Sequence, residues 1–140
     1  YRRMIDDGFY SLEPAAVARR RLKNVSLAYL MKGNDLENQE LAVRQYREAG
    51  NMTDVLAALA CLTDSDHPQR QVALDDFYRR WHHDPLVLDK WFAIQAASSR
   101  PDTLEKVREL LHHADFTLEN PNRVRALVGT FCHGNPAGFH

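Results

Sequence analysis

Cysteine, glycine and β-branched residues are scarce in this 140-residue chain, and long apolar runs are missing. Two cysteines, Cys61 and Cys132, are too few for a disulfide framework and fit a reducing compartment. Val and Ile number 11 against 33 for Leu plus Ala. That imbalance favours helices, because branching at Cβ costs rotamer freedom in a helix while Leu and Ala lose little. No apolar run approaches the roughly 18 residues that would suggest a membrane span. The opening residues, Tyr1 to Asp7, carry no signal-peptide core. A net charge of −1 supplies no global field toward nucleic acid or anionic lipid. With 44% hydrophobic and 26% charged residues, the chain is neither disordered nor fibrous, and its length suits one core. It opens without Met and stops just after a helix-start signal. Residues 1–140 therefore read as one helical segment cut from a longer polypeptide.

What is present is regular punctuation. Pro14, Pro68, Pro85, Pro101, Pro121 and Pro136 each stand just before or at the start of a helical pattern. Proline suits that place because its missing N–H has no intrahelical partner there. Asp84, Asn120 and Asn135 precede three of them as capping residues. Between these marks, apolar residues recur at three and four. Ala18, Leu22, Val25 and Tyr29 form one stripe, ended by Gly33, and Leu36, Val43 and Tyr46 a second, ended by Gly50. A third follows a Thr53 cap with Val55, Leu56, Leu59 and Leu62, and a fourth holds Leu74, Phe77, Tyr78 and Trp81. Leu88, Trp91, Phe92 and Gln95 place a fifth, Leu104, Val107 and Leu111 a sixth, and Val124, Leu127, Val128 and Phe131 a seventh. Strict alternation is absent, so the fold class is all-α.

About seven helices joined by short loops must mostly run antiparallel to their neighbours. No repeat motif is visible, yet the even helix–turn spacing suggests an irregular superhelical stack of antiparallel helix pairs, an armadillo/HEAT-like α-solenoid. A compact bundle is the alternative architecture.

The titratable clusters favour structure over chemistry. His67, His82, His83, His112, His113, His133 and His140 include adjacent pairs, but helix neighbours point about 100° apart and do not chelate one ion. No His-Glu-x-x-His occurs. Surface histidines near helix C-termini are the expectation, and no metal site or cofactor is expected in this chain. Cys61 lies in the apolar run Leu59-Ala60-Cys61-Leu62, and Cys132 beside His133 does not face it, so no catalytic residue is assigned. Arg19, Arg20, Arg21 and Lys23 fan around a helix and read as a solvated face. Tyr78, Trp81, Trp91 and Phe92 have the spacing of packing residues.

One segment breaks a local rule. In Asn120-Pro121-Asn122-Arg123-Val124-Arg125, two arginines enter the first turn of a helix, whose N-terminus is already partly positive. Arg123 and Arg125 lie about 100° to either side of Val124, flanking the packed stripe. Free N–H groups with guanidinium make an anion-receptive site suited to a carboxylate, unless Glu119 or another acid neutralises the pair.

Several stretches resemble the bacterial aminopeptidase N family. These are Gly50-Asn51-Met52-Thr53-Asp54 leading to Ala57-Ala58-Leu59, then Leu88-Asp89-Lys90-Trp91-Phe92, Phe116 through Phe131, and Asn135-Pro136-Ala137-Gly138-Phe139-His140. The resemblance covers essentially the whole chain. It implies a cytoplasmic zinc metallopeptidase, a hydrolase that removes N-terminal residues from peptides, of which this chain matches the interior of the C-terminal helical domain. That domain would close over the catalytic domain of the same polypeptide and help admit and bind peptide substrates. The family's His-Glu-x-x-His and Gly-Ala-Met-Glu-Asn signatures are absent from these 140 residues, so zinc is implied for the parent catalytic domain. The position matching Arg125 is implied to face the internal cavity near the leaving-group side of the scissile bond. Arg125 is therefore the expected substrate-binding residue; its neighbour Arg123 is a second candidate, with a purely structural role as the alternative. Two other classes compete: a free-standing helical-repeat interaction module, and a nucleic-acid or anionic-partner binder using Arg19–Arg21 with Arg123 and Arg125. Neither nucleic acid nor membrane is an expected partner.

Overall fold

The computed structural model describes residues 14–31 and 36–134, all helix, turn or loop with no strand among them. Gly33, the Asn135–Pro136 helix start and His140 lie outside the described residues. The helices are α1 (Pro14–Met31), α2 (Leu36–Glu48), α3 (Met52–Thr63), α4 (Gln69–Trp81), α5 (Pro85–Ala96) and α6 (Thr103–Leu111). A seventh helical segment joins α7 (Pro121–Val124), a π turn (Arg125–Gly129) and α8 (Thr130–Gly134). The chain divides into two compact units, Tyr1–Arg70 and Gln71–His140.

The punctuation works as sequence chemistry requires. Asp84 accepts from the N–H groups of Leu86 and Val87, and Asn120 from those of Asn122 and Arg123, each with proline in the first turn. Asn51, rather than the expected Thr53, caps α3; its side chain accepts from Asp54 N–H at 2.9 Å. The helix thus begins earlier because an amide oxygen is already placed for the third residue's N–H.

In the first unit α1, α2 and α3 pack on one another. Leu27, Ala42, Val43, Ala58, Leu59 and Leu62 fill the apolar part of its core. The expected stripe of α1 faces outward instead: Leu22, Val25 and Tyr29 are exposed. The buried positions of that helix are Ala16, Arg20, Lys23 and Leu27. Only part of the basic run is therefore a solvated face. Lys23 Nζ meets Asp54 Oδ2 at 2.5 Å, and Asn24 and Asn51 donate to the same carboxylate at 3.0 and 3.1 Å. Gln45 completes the network, donating to Asn24 Oδ1 and to the Asp54 carbonyl, both at 2.9 Å. A buried charge persists when it is paired and its remaining lone pairs are bonded, and this arrangement turned the helix. Burial pushes the Asp54 carboxyl up, but the hydrogen bonds and charge of Lys23, with Asn24 and Asn51, outweigh it and hold the group below its ordinary value.

In the second unit α5 is central, packing against α6, α7, the π turn and α8. Leu88, Trp91, Phe92 and Gln95 are all buried, as their spacing predicts. Leu74, Phe77, Val107, Leu110, Leu127 and Phe131 add the rest. Trp91 Nε1 donates to the Leu74 carbonyl at 3.0 Å, so the indole is buried without an orphaned donor. On α6 the buried face is Thr103, Val107 and Leu110, with Leu104 and Leu111 partly exposed.

Candidate functional site

The segment that broke the local rule is built on the loop following α6. His113 packs its ring against Tyr78, Trp91 and Phe92, and its Nδ1 accepts from Asp115 N–H at 3.0 Å. The Tyr78 hydroxyl donates to the Asp115 carboxylate, which pushes the Tyr78 phenol up and keeps it protonated. These contacts fix the loop just before the Asn120 cap.

The two arginines have separate fates. Arg123 is 7% exposed. Its Nε donates to Asp89 Oδ1 at 2.7 Å, Nη1 to the Asp115 carbonyl at 2.7 Å, and Nη2 toward the Pro85 carbonyl at 3.5 Å. The guanidinium also lies 5.7 Å from the centre of the Phe92 ring. The neutralising acid is therefore Asp89 of α5, not Glu119. Arg125 is exposed, and its Nη2 donates to the Asn122 side-chain carbonyl at 2.5 Å. No acid pairs with it among the described residues, so its charge stays uncancelled.

The first-turn N–H groups expected to be free are occupied. Asn120 Oδ1 takes those of Asn122 and Arg123, the Asn120 carbonyl takes that of Val124, and the Arg125 N–H bonds the Pro121 and Asn122 carbonyls. The uncancelled positive charge of the segment is therefore that of the Arg125 side chain. Arg125 also opens the π turn, in which the Thr130 N–H reaches back to the Arg125 carbonyl. Such turns add one residue to a helical turn and occur often at functional sites. Sequence reasoning missed the turn, Asp89 and Asn122. Asp89 sat inside a family-like stretch, but spacing could not show that it reaches residue 123.

The histidines are mostly where helix ends put them. His82 lies at the end of α4 with Nδ1 near the Tyr78 and Arg79 carbonyls, and His112 is the exposed C-cap of α6. His67 differs: it is buried, accepts Gln69 N–H at Nδ1 and meets Glu40 through Nε2 at 2.7 Å. Burial, with the nearby Asp64 charge, pushes the Cys61 thiol up to about 11, so it is no thiolate nucleophile at neutral pH. Among the described residues no three His, Cys, Asp or Glu side chains are grouped to hold a metal ion. No described helix is long and apolar enough to cross a membrane.

The family described as "Domain of unknown function (DUF3458_C) ARM repeats" matches residues 1–140. The chain belongs to this family. ARM repeats are stacked helices, in keeping with the solenoid reading. The chain is 43% identical over 131 residues to aminopeptidase N of Escherichia coli K12, covering 94% of the chain and 15% of that protein. It is 42% identical over 134 residues to aminopeptidase N of Caulobacter vibrioides, covering 96% of the chain and 16% of that protein. Among solved structures it is similar to Legionella pneumophila aminopeptidase A in complex with aspartic acid. The TM-score is 0.83 at 38% identity, over 97% of the chain and 16% of that structure. The aminopeptidase N resemblance thus extends over most of the chain, which spans about one-sixth the length of these relatives.

Proposed function

We propose that the chain is the non-catalytic helical portion of a cytoplasmic zinc aminopeptidase that removes N-terminal residues from peptides. It closes over the active-site cavity of the catalytic domain in the same polypeptide and helps admit and hold the peptide. The described side chains offer no grouping that fits zinc. The zinc that the aminopeptidase N resemblance implies is assigned to the catalytic domain, and no step of this chain runs through it.

The observation that carries the reading is the unlike pair of arginines in a chain so similar to aminopeptidases. Arg125 keeps its positive charge at the surface, bonded to a neutral amide, while Arg123 anchors the same turn from beneath. When a short peptide is cleaved, its leaving portion carries the free α-carboxylate. Arg125 meets that carboxylate, and Arg123 serves the substrate by holding the turn in place.

A charge-assisted hydrogen bond of this kind is worth roughly 1.5–3 kcal/mol. In the full-length enzyme, Arg125→Ala should lower kcat/KM for a free dipeptide about 10- to 100-fold and leave an alanine anilide nearly unchanged. Arg125→Lys should recover part of the loss, because it keeps charge but not the planar fork. Steady-state kinetics on the two substrates check this. Equal losses on both would remove Arg125 from the site.

A further inference from the structure

The contrast between the two arginines extends to the groups that hold them. Arg123 is held by a carboxylate, Asp89, and is thereby neutralised. Arg125 is held by an amide oxygen, that of Asn122, at 2.5 Å. An amide oxygen fixes one N–H of a guanidinium without cancelling its charge. Among the described residues the other four donors of Arg125 meet no protein acceptor, so one edge of the fork is held and the charge remains available.

Asn122 is itself fixed from below. Its N–H is bonded to Asn120 Oδ1 at 3.1 Å, and the preceding proline sets φ at the helix start. It lies three residues before Arg125, the separation at which side chains on a helix meet. The Arg125 N–H also bonds the Asn122 carbonyl, so backbone and side chain join the same two residues. An exposed arginine ordinarily samples many rotamers and loses that freedom on binding. A side chain already tethered loses less.

We infer that Asn122 is a positioning and specificity-determining residue: it presents Arg125, still charged, to the free α-carboxylate of a short peptide. This rests on the role proposed above for Arg125. The residue type matters. An aspartate at position 122 would hold the guanidinium equally well but supply the negative charge that the substrate should supply. An alanine would leave the charge but release the side chain. The neutral amide orients the cation and leaves its charge for the ligand.

The test compares Asn122→Ala, Asn122→Asp, Arg125→Ala and the double variant Asn122→Ala/Arg125→Ala in the full-length enzyme. The substrates are a free dipeptide, the same dipeptide with its C-terminus amidated, and an alanine anilide. Asn122→Ala should raise KM for the free dipeptide about 3- to 10-fold with kcat unchanged, and leave the other two substrates alone. Asn122→Asp should lose as much on the free dipeptide as Arg125→Ala, about 10- to 100-fold, and the double variant Asn122→Ala/Arg125→Ala should lose no more than Arg125→Ala. Both side chains are exposed, so melting temperatures should stay close to the parent's. If Arg125→Ala discriminates against the free carboxylate while both Asn122 variants behave as wild type, this inference fails and the role of Arg125 stands. If Arg125→Ala does not discriminate, the role of Arg125 fails, and any effect at Asn122 then has another cause, which also overturns the inference.

Discussion

In the first unit a lysine and an aspartate are buried together among amide side chains, whereas in the second an arginine is buried against an aspartate, one aromatic ring and backbone carbonyls. Lys23 and Asp54 are both almost fully buried, and every added partner is an Asn or Gln. Asp89, the partner of Arg123, retains 16% of its side-chain exposure, and the guanidinium borrows two carbonyls and the face of Phe92. The second pair therefore keeps more contact with solvent than the first. The difference teaches where each buried charge matters: the first pair joins α1 to α3, and the second joins α7, just before the π turn, to α5.

The largest effect expected from breaking this contrast is at Asp54. Asp54→Ala leaves the Lys23 ammonium buried without its counter-charge and should destabilise the protein by about 3–5 kcal/mol. Chemical denaturation measures it, and a loss below about 1 kcal/mol would show that water enters the network freely. Arg123→Ala should cost less, roughly 1.5–3 kcal/mol, because the abandoned Asp89 carboxylate can be hydrated. Hydrogen exchange should localise that loss to the π turn and the loop before Asn120, sparing α1 to α3; uniform loss of protection would blur the distinction between units.

A milder lever is acid. The folded-state value of Asp54 is depressed, so its contribution is complete above the unfolded value of about 3.9 and is lost as pH falls through the lower folded value. Below about pH 4, exchange protection in α1 to α3 should therefore decline steadily, and Asp54→Asn should flatten that decline. An unchanged acid profile in Asp54→Asn would assign the sensitivity to other carboxylates.

Legibility from sequence follows the same division. In the second unit the buried face of α5 carries Leu88, Trp91, Phe92 and Gln95, and periodicity reads such a face directly. In the first unit the buried face of α1 carries Arg20 and Lys23, so the apolar pattern pointed to the opposite side. A counter-charge 31 residues away reversed that face, and local spacing contains no record of it. Caps at Asp84 and Asn120 were legible because capping is a contact between near neighbours. The arginine segment stood out because it opposed the helix dipole, but local spacing could not show which group holds each arginine. Asp89 lies 34 residues from Arg123, and the π turn leaves no periodic signature over five residues.

The division of labour between the two arginines is the central claim, and one paired measurement addresses it: melting temperature together with the free-dipeptide to anilide efficiency ratio, in Arg123→Ala and Arg125→Ala full-length enzyme. Arg125→Ala should lower the ratio about 10- to 100-fold with the melting temperature unchanged, whereas Arg123→Ala should lower the melting temperature by several degrees. A preserved ratio in Arg125→Ala, or a melting loss as large as that of Arg123→Ala, would contradict the account.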